Sequence, residues 1–512
     1  MLADLSFDWL LPIFSSENIR NIFIKLGQSS TREPWFFTDF TFLATFGFFL
    51  LIYAVIYKRE TVRKVYIILF SLFFYYKSSG LFLGLFVLMI ISDFLFALLI
   101  QKAEGIKRKI FLLLGLAYSL SFLLYFKYTN FFIENFNLYL GTHFTPKNLF
   151  LPIGISFYTF QSISYIIDVY RKEITASKNI VDYTFYMTFF PHLVAGPIVR
   201  AKDFLPQIYN YTIIDGAVFK ESFFRIIIGL IKKLFIADYL AKYADLVYAS
   251  PGAFSGGENL LSMYAYTFQI YFDFSGYSDI ALGLALLLGY RLKENFDNPY
   301  ASADITTFWR KWHISLSSWL RDYIYIPLGG NRKGEINRYV FLMLTMLIGG
   351  FWHGASWTFV FWGLAHGLAL AAHKLWSGPG AKKPATELSR IGRILKAPKY
   401  FFSVLLTFHF VALCWIFFRA NTFDIAFQSI LRIFNKMHYN DFIGFWMARK
   451  EIVIMLLTAS LIVFFPENLK QKLINIALRL PVWSWLIIML LAMQLIIQFK
   501  DSVVQPFIYF QF

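Results

Sequence analysis

An all-α, polytopic integral membrane protein is the fold class this sequence predicts, and three observations predict it. Apolar residues make up 58% of the 512-residue chain and charged ones only 15%, with a mean hydropathy of +0.56, whereas a soluble domain carries about 25% charged residues. The apolar residues fall in long unbroken runs, not interleaved with polar ones at the period of about 3.6 or 2 that a large soluble core would show. Basic residues cluster in every second connection between the early runs, as they do in loops retained on the cytoplasmic side.

A bilayer core demands about 20 apolar residues per helix. Runs of that kind cover Phe36 to Tyr57, Leu81 to Ile100, Ile110 to Phe126 and Leu151 to Tyr170. Shorter or mixed runs cover Val65 to Tyr76, Tyr183 to Ile198, Phe223 to Leu240 and Leu260 to Leu288. The second half adds Tyr339 to Ile348, Trp357 to Leu375, Tyr400 to Phe418, Ile452 to Phe465 and Val482 to Phe499. Together these predict roughly eleven to thirteen membrane helices, some short or tilted. Lys58, Arg59, Arg63 and Lys64 follow the first run, Lys102, Lys107, Arg108 and Lys109 the third, and Arg171 and Lys172 the fifth. Those loops are therefore expected in the cytoplasm and the N-terminus outside.

The net charge of +17 is spread over such clusters rather than gathered on one domain, which argues against nucleic acid as a partner. Cys414 is the single cysteine, which excludes an intramolecular disulfide and a cysteine-based metal cluster. No charged segment precedes the first short apolar stretch, so no cleavable signal peptide is expected. Ser377 to Lys399, with Gly378, Pro379, Gly380 and Pro384 and a strong basic bias, reads as a cytoplasmic loop. No internal repeat is visible, and residues 1–512 are expected to form a single membrane domain.

Ionisable groups inside membrane segments are costly and therefore mark candidate sites. Three stretches concentrate them. In Tyr271 to Tyr290, Asp273, Ser275, Tyr277, Ser278 and Asp279 lead into an apolar run; a helix cap is one reading of Asp279, while Asp273 precedes a Ser-Gly pair that reads as a break. In Ser302 to Gly330, Ser302 or Asp304 is a candidate N-cap, and Pro327 with Gly329 and Gly330 ends the helix. Arg310, His313, Ser317 and Arg321 are spaced +3, +4, +4, which places them on one face of a single helix. That stripe suits a phosphate or carboxylate ligand; equally, it suits a solvated face among lipid headgroups. In Gly349 to Thr358, three glycines surround His353, leaving room for close approach of backbone or ligand. An imidazole there serves as a general base near neutral pH or as a hydrogen-bonding helix contact. His366 and His373, seven apart with no acidic or cysteine ligand beside them, read as packing or interfacial residues rather than a metal pair. His143, His409 and His438 read the same way, and His192 is left open.

At these residues the chain resembles the membrane-bound O-acyltransferase superfamily, in its bacterial alginate O-acetyltransferase-like branch. The segments that carry the resemblance are FFPHLVAGPI from Phe189, YFDFSGYSDIALG from Tyr271, ENFDNPY from Glu294, FWRKWHISLSSWLRDYIYIPLGG from Phe308, GGFWHGASWTFVFWGLAHG from Gly349 and WIFFRA from Trp415. They cover about residues 150 to 420 in order; the flanks match mainly in hydropathy. The resemblance implies a ring of helices around a central catalytic cavity, with His353 and His313 as the catalytic pair. It implies substrate contacts from Arg310, Ser317, Arg321, Asp273, Ser275, Asn295 and Trp352, and no bound metal or cofactor. The donor it implies is acetyl-CoA or another acyl thioester from the cytoplasm. The partners it implies are an extracytoplasmic acetyltransferase and an exopolysaccharide acceptor, at a bacterial inner membrane. Two rivals stand beside it: D-alanyl transfer to teichoic acid from a carrier protein, and a transporter or flippase using the same polar groups as a path.

Overall fold

The computed structural model describes residues 35–209, 213–377, 390–435, 442–499 and 507–508, and within them regular structure is entirely helical. The first half contains α1 (Phe40–Ile56), α2 (Glu60–Ser79), α3 (Leu83–Lys102), α4 (Gly105–Leu123), α5 (Thr129–Leu140), α6 (Ile155–Tyr170), α7 (Ile180–Thr188), α8 (Ala201–Tyr209), α9 (Gly216–Leu230) and α10 (Asp238–Ala249). Next come α11 (Gly256–Leu287), α12 (Ile305–Lys311), α13 (Ile314–Leu320), α14 (Glu335–His353), α15 (Trp357–Ser377) and α16 (Arg390–Arg419). The chain closes with α17 (Phe423–Asn435), α18 (Phe442–Ala448), α19 (Lys450–Phe464), α20 (Glu467–Leu478) and α21 (Val482–Phe499). Three π-helical turns interrupt the pattern, at Leu124–Tyr128, Ile231–Ala237 and Arg321–Tyr325.

Among the described residues, the stretches Glu60–Lys102, Gly105–Leu140 and Pro398–Arg419 are each long and apolar enough to cross a membrane, and α19 with α20 makes a further candidate bent by 92°. The eleven to thirteen membrane helices expected from the apolar runs include short or tilted ones, and most of the runs are indeed not single long apolar helices. Several are short, π-bulged or broken, and several carry charges that face other helices. The run Tyr183 to Ile198 is one such case: α7 stops at Thr188, a single turn spans Phe190–Leu193, and the chain then extends. Of the expected loop Ser377 to Lys399, residues 378–389 lie outside the described residues, but helix α16 already begins at Arg390 and runs through Pro398. His438 also lies outside them.

α11 is the axis of the fold, buried along almost its whole length. Its start is set by sequence: the Ser255 side chain accepts from the Glu258 amide while Glu258 accepts from the Ser255 amide, a reciprocal cap that satisfies two otherwise orphaned donors. From there the helix continues without interruption, so the break expected at Ser275–Gly276 does not occur. Gly276 and Gly283 serve instead as points of close approach to α9: a Cβ on Gly276 would lie 2.8 Å from the Gly229 carbonyl oxygen, and one on Gly283 would lie 2.7 Å from that of Ser222. Small residues at such crossings let backbones meet directly. The reading of Asp279 as a cap is likewise corrected. It sits in mid-helix and pairs with Lys232 at 2.6 Å.

The basic loops predicted to share one side do converge. Arg108 at the start of α4 donates to the carbonyls of Val169 and Tyr170 at the end of α6, Arg171 donates to the Asp322 carbonyl, Lys202 pairs with Glu173, and Lys64 pairs with Asp182. This basic end gives the molecule a direction against which the site can be described.

Candidate active site

His353 is the last residue of α14, 3% exposed. Its ring lies edge-on to Trp352 at 4.9 Å, Trp362 at 5.2 Å and Phe418 at 5.1 Å. Glycine makes this enclosure possible. A Cβ on Gly354 would stand 2.1 Å from the Phe359 ring, and one on Gly350 would stand 2.4 Å from the Phe359 carbonyl oxygen. The helix end itself is tied from outside: Lys127 Nζ donates to the carbonyls of Trp352 and His353 at 2.7 and 2.8 Å, and Tyr128 Oη to that of Phe351 at 2.9 Å. The last carbonyls of a helix have no partner within it, and a cation there also complements the helix dipole.

His313 sits 6.4 Å from His353, ring centre to ring centre, and is fully buried. The expectation of one continuous helix bearing Arg310, His313, Ser317 and Arg321 on a single face is overturned here. α12 ends at Lys311; Trp312 is extended, and His313 adopts a left-handed backbone with φ 42° before α13 begins. α12 runs inward along α15, with Thr306 bonded to His373 and Trp309 Nε1 donating to His366 Nδ1. α13 and the π turn after it then run back along α6, from Trp319, which donates to the Phe160 carbonyl, to Tyr323, which donates to Asp168. His313 is thus the tip of a re-entrant hairpin that starts and finishes at the basic end.

A left-handed non-glycine residue costs about 1–3 kcal/mol and persists only where its surroundings enforce it. Asn295 does the enforcing: its carbonyl oxygen accepts from the Ile314 amide at 2.9 Å, and its Oδ1 accepts from the Ser315 amide and hydroxyl at 3.1 and 2.8 Å. The Ser317 hydroxyl donates back across the turn to the Trp312 carbonyl. Asn295 and Ser317, expected as substrate contacts, are therefore engaged in shaping the tip. Asn295→Ala is expected to destabilise this tip by about 1–3 kcal/mol, the cost of leaving a buried partner unpaired, while the protein still reaches the membrane; the melting midpoint in detergent beside an immunoblot checks it.

The remaining expected contacts divide. Trp352 faces the site, its ring packed against Phe157, Phe160 and both histidines. Asp273 is committed elsewhere: Lys233 Nζ lies 2.7 Å from both Asp273 and Asp238, and the Ile508 amide donates to Asp273. Removing one member of such a buried group costs about 3–5 kcal/mol, so Asp273 acts as an internal anchor. Ser275 is buried, and its hydroxyl has no hydrogen-bond partner among the described residues. Between these two, Phe274 packs edge-on to His313 at 4.6 Å. Arg310 and Arg321 are exposed, one on each arm of the hairpin. Arg321 pairs with Asp322, which Arg200 also engages at 2.6 Å. At this basic end, burial disfavours the Asp322 carboxylate, yet hydrogen bonds from Arg321 and Arg200 hold it below the usual carboxylate range.

His192, His366, His373 and His409 have local partners; His409 bonds the Tyr264 hydroxyl and the Leu405 carbonyl. His192 Nε2 bonds the Tyr186 carbonyl within an aromatic cluster, His366 accepts from Trp309, and His373 joins Thr306 and Ser377.

On the face of the histidine pair away from the basic end lies a cavity lined by Lys127, Trp352, His353, Val194 and the turn from Leu151 to Phe157. It holds about 490 Å³ of empty space, including the solvent at its mouth. Lys127, Trp362 and Phe418 are the site residues that sequence reasoning missed. Lys127 carries a signal, a lysine set among aromatic residues just where an apolar run ends at Phe126.

This arrangement offers two neighbouring imidazoles, one at the tip of a re-entrant hairpin and the other lining a cavity on the side away from the basic end. The model of the membrane-bound O-acyltransferase family matches residues 169–414. A probable alginate O-acetylase of Azotobacter vinelandii is 43% identical over 69% of this chain and 69% of its own length. A peptidoglycan O-acetyltransferase of Helicobacter pylori is 38% identical over 81% of this chain and 80% of its own. A teichoic acid D-alanyltransferase of Bacillus subtilis is 28% identical over 55% of this chain and 72% of its own.

Proposed function

The chain belongs to the membrane-bound O-acyltransferase family, and on that premise we propose that it passes an acetyl group from cytoplasmic acetyl-CoA across the bilayer for O-acetylation of an extracytoplasmic polysaccharide. The observation that carries this reading is the histidine pair, 6.4 Å apart, met by the re-entrant hairpin from the basic end and by a cavity from the other side.

In this reading the basic end faces the cytoplasm of a bacterial inner membrane. The donor enters there, and Arg310 and Arg321 hold its anionic part, for which a guanidinium fork is suited. His353 takes the proton of the acceptor hydroxyl while the oxygen attacks the thioester carbonyl carbon. The carbon–sulfur bond then breaks, and the leaving thiolate takes that proton from His353. His313 steadies the charge on the carbonyl oxygen or relays the proton. That first acceptor hydroxyl belongs to a carrier on the far side, and an extracytoplasmic acetyltransferase partner then moves the acetyl from this ester to a polymer hydroxyl, regenerating the first hydroxyl.

Acetyl is preferred to D-alanyl because the acetyl-transferring relatives match more of this chain at higher identity than the D-alanyltransferases do. The deciding experiment supplies inverted membrane vesicles with labelled acetyl-CoA in parallel with a labelled D-alanyl carrier protein. Label is expected in alkali-labile ester from acetyl-CoA alone; incorporation from the D-alanyl donor alone overturns the choice of cargo.

A further inference from the structure

We infer that Lys127 is an oxyanion donor of the transfer, which leaves His313 the proton relay: the Lys127 ammonium holds the negative charge that develops on the acyl carbonyl oxygen beside His353. This rests on the acyl transfer proposed above and assigns a role to a residue well upstream of the matched family segment, 169–414.

Among the residues lining the cavity next to His353, Lys127 is the only lysine or arginine. An ammonium has three donors. Two go to the carbonyls of Trp352 and His353, the same helix turn that carries the imidazole, so the charge is fixed relative to the base. Both acceptors are main-chain atoms, and the third N–H is left for a ligand in the cavity that the side chain lines. The first turn of α6, a 16-residue helix, borders the same space, and its dipole adds to the positive potential there.

Local structure explains how a lysine reaches this position. Lys127 lies in the π turn Leu124–Tyr128 between α4 and α5. Such a turn inserts an extra residue and re-aims side chains, and it recurs at functional sites. Capping the end of α14 alone would not require the ammonium to border the cavity, and Tyr128 already ties the neighbouring carbonyl of Phe351.

During transfer, the acceptor oxygen bonds to the acyl carbon as its proton moves to His353, and the carbonyl π pair moves onto oxygen. Lys127 donates a hydrogen bond to that oxygen and stays protonated throughout. As the carbon–sulfur bond breaks, the pair returns to form the carbonyl and the thiolate leaves with the proton from His353.

The test uses the full chain in inverted vesicles with labelled acetyl-CoA, comparing native protein, Lys127→Met, Lys127→Arg, Tyr128→Phe and His353→Ala. Losing one preorganised oxyanion donor is expected to lower kcat for Lys127→Met about 10²- to 10³-fold, with KM for acetyl-CoA within about threefold and normal membrane abundance. Lys127→Arg should recover at least about tenfold of that loss, and Tyr128→Phe should fall far less than Lys127→Met. The inference is overturned if Lys127→Met stays within threefold of native, if its loss appears in KM, or if Tyr128→Phe is equally impaired, which would mark a purely anchoring role. Should native vesicles show no transfer that His353→Ala removes, the proposed function itself fails and takes this inference with it.

Discussion

Replacing His353 with alanine is expected to abolish polysaccharide O-acetylation while leaving the protein at native abundance in the membrane. General base catalysis by a positioned side chain supplies about 10²–10⁴-fold, and a transfer stripped of it falls below detection in polymer analysis. Retention of the fold follows from which atoms make the local bonds. Lys127 and Tyr128 hold the end of α14 through the carbonyls of Phe351, Trp352 and His353, and alanine keeps its carbonyl. The ring that is lost packs edge-on against three aromatic walls; alanine leaves a space there without stranding a charge. Quantifying ester-linked acetate on extracted polymer, with an immunoblot of the membrane fraction, checks both halves. Acetylation that persists in the alanine variant would remove His353 from the mechanism.

Much of this site is legible in the sequence because the chemistry sits in unusual residues: an imidazole among glycines, and polar groups in otherwise apolar runs. Composition and run length also carry the fold class, since only helices satisfy their own backbone within each segment. The illegible parts share one cause, tertiary contacts that override a locally consistent pattern. From Arg310 to Arg321 nothing in the spacing signals a break, with no glycine or proline inside it. The turn at His313 is imposed by Asn295, on the preceding segment, through bonds to the Ile314 and Ser315 amides. Asp279 reads as a cap because its partner, Lys232, lies on another segment. Lys127 reads as the flank of a span because π turns have no sequence signature. The three π turns among the described residues carry Lys127, Lys232 with Lys233, and Arg321. In each case the bulge coincides with a cation that has a specific partner, and at Lys127 and at Lys232 with Lys233 that cation lies within the apolar body, whereas Arg321 is exposed at the basic end.

A bulkier residue at Gly350 is expected to be the most damaging change that touches no candidate chemical group. α14 and α15 cross backbone against backbone: a Cβ on Gly350 would stand 2.4 Å from the Phe359 carbonyl oxygen, and one on Gly363 would stand 2.4 Å from that of Met346. Those obstacles are main-chain atoms and cannot rotate aside, so Gly350→Val must push the two helices apart. Overpacking of this kind costs about 1–3 kcal/mol. The functional loss should be larger than the stability loss, because α15 carries Trp362, whose ring lies 5.2 Å from that of His353. A displacement of about 1 Å in a reacting constellation costs about 10²-fold in rate. Gly47→Ala and Gly84→Ala provide the contrast, since a Cβ at either position meets nothing within 4 Å, and both are expected to keep native acetylation. Acetyl content and the melting midpoint in detergent, measured on all three variants, separate the two effects. If Gly350→Val acetylates at the native level, the close crossing of α14 and α15 does not set the position of His353.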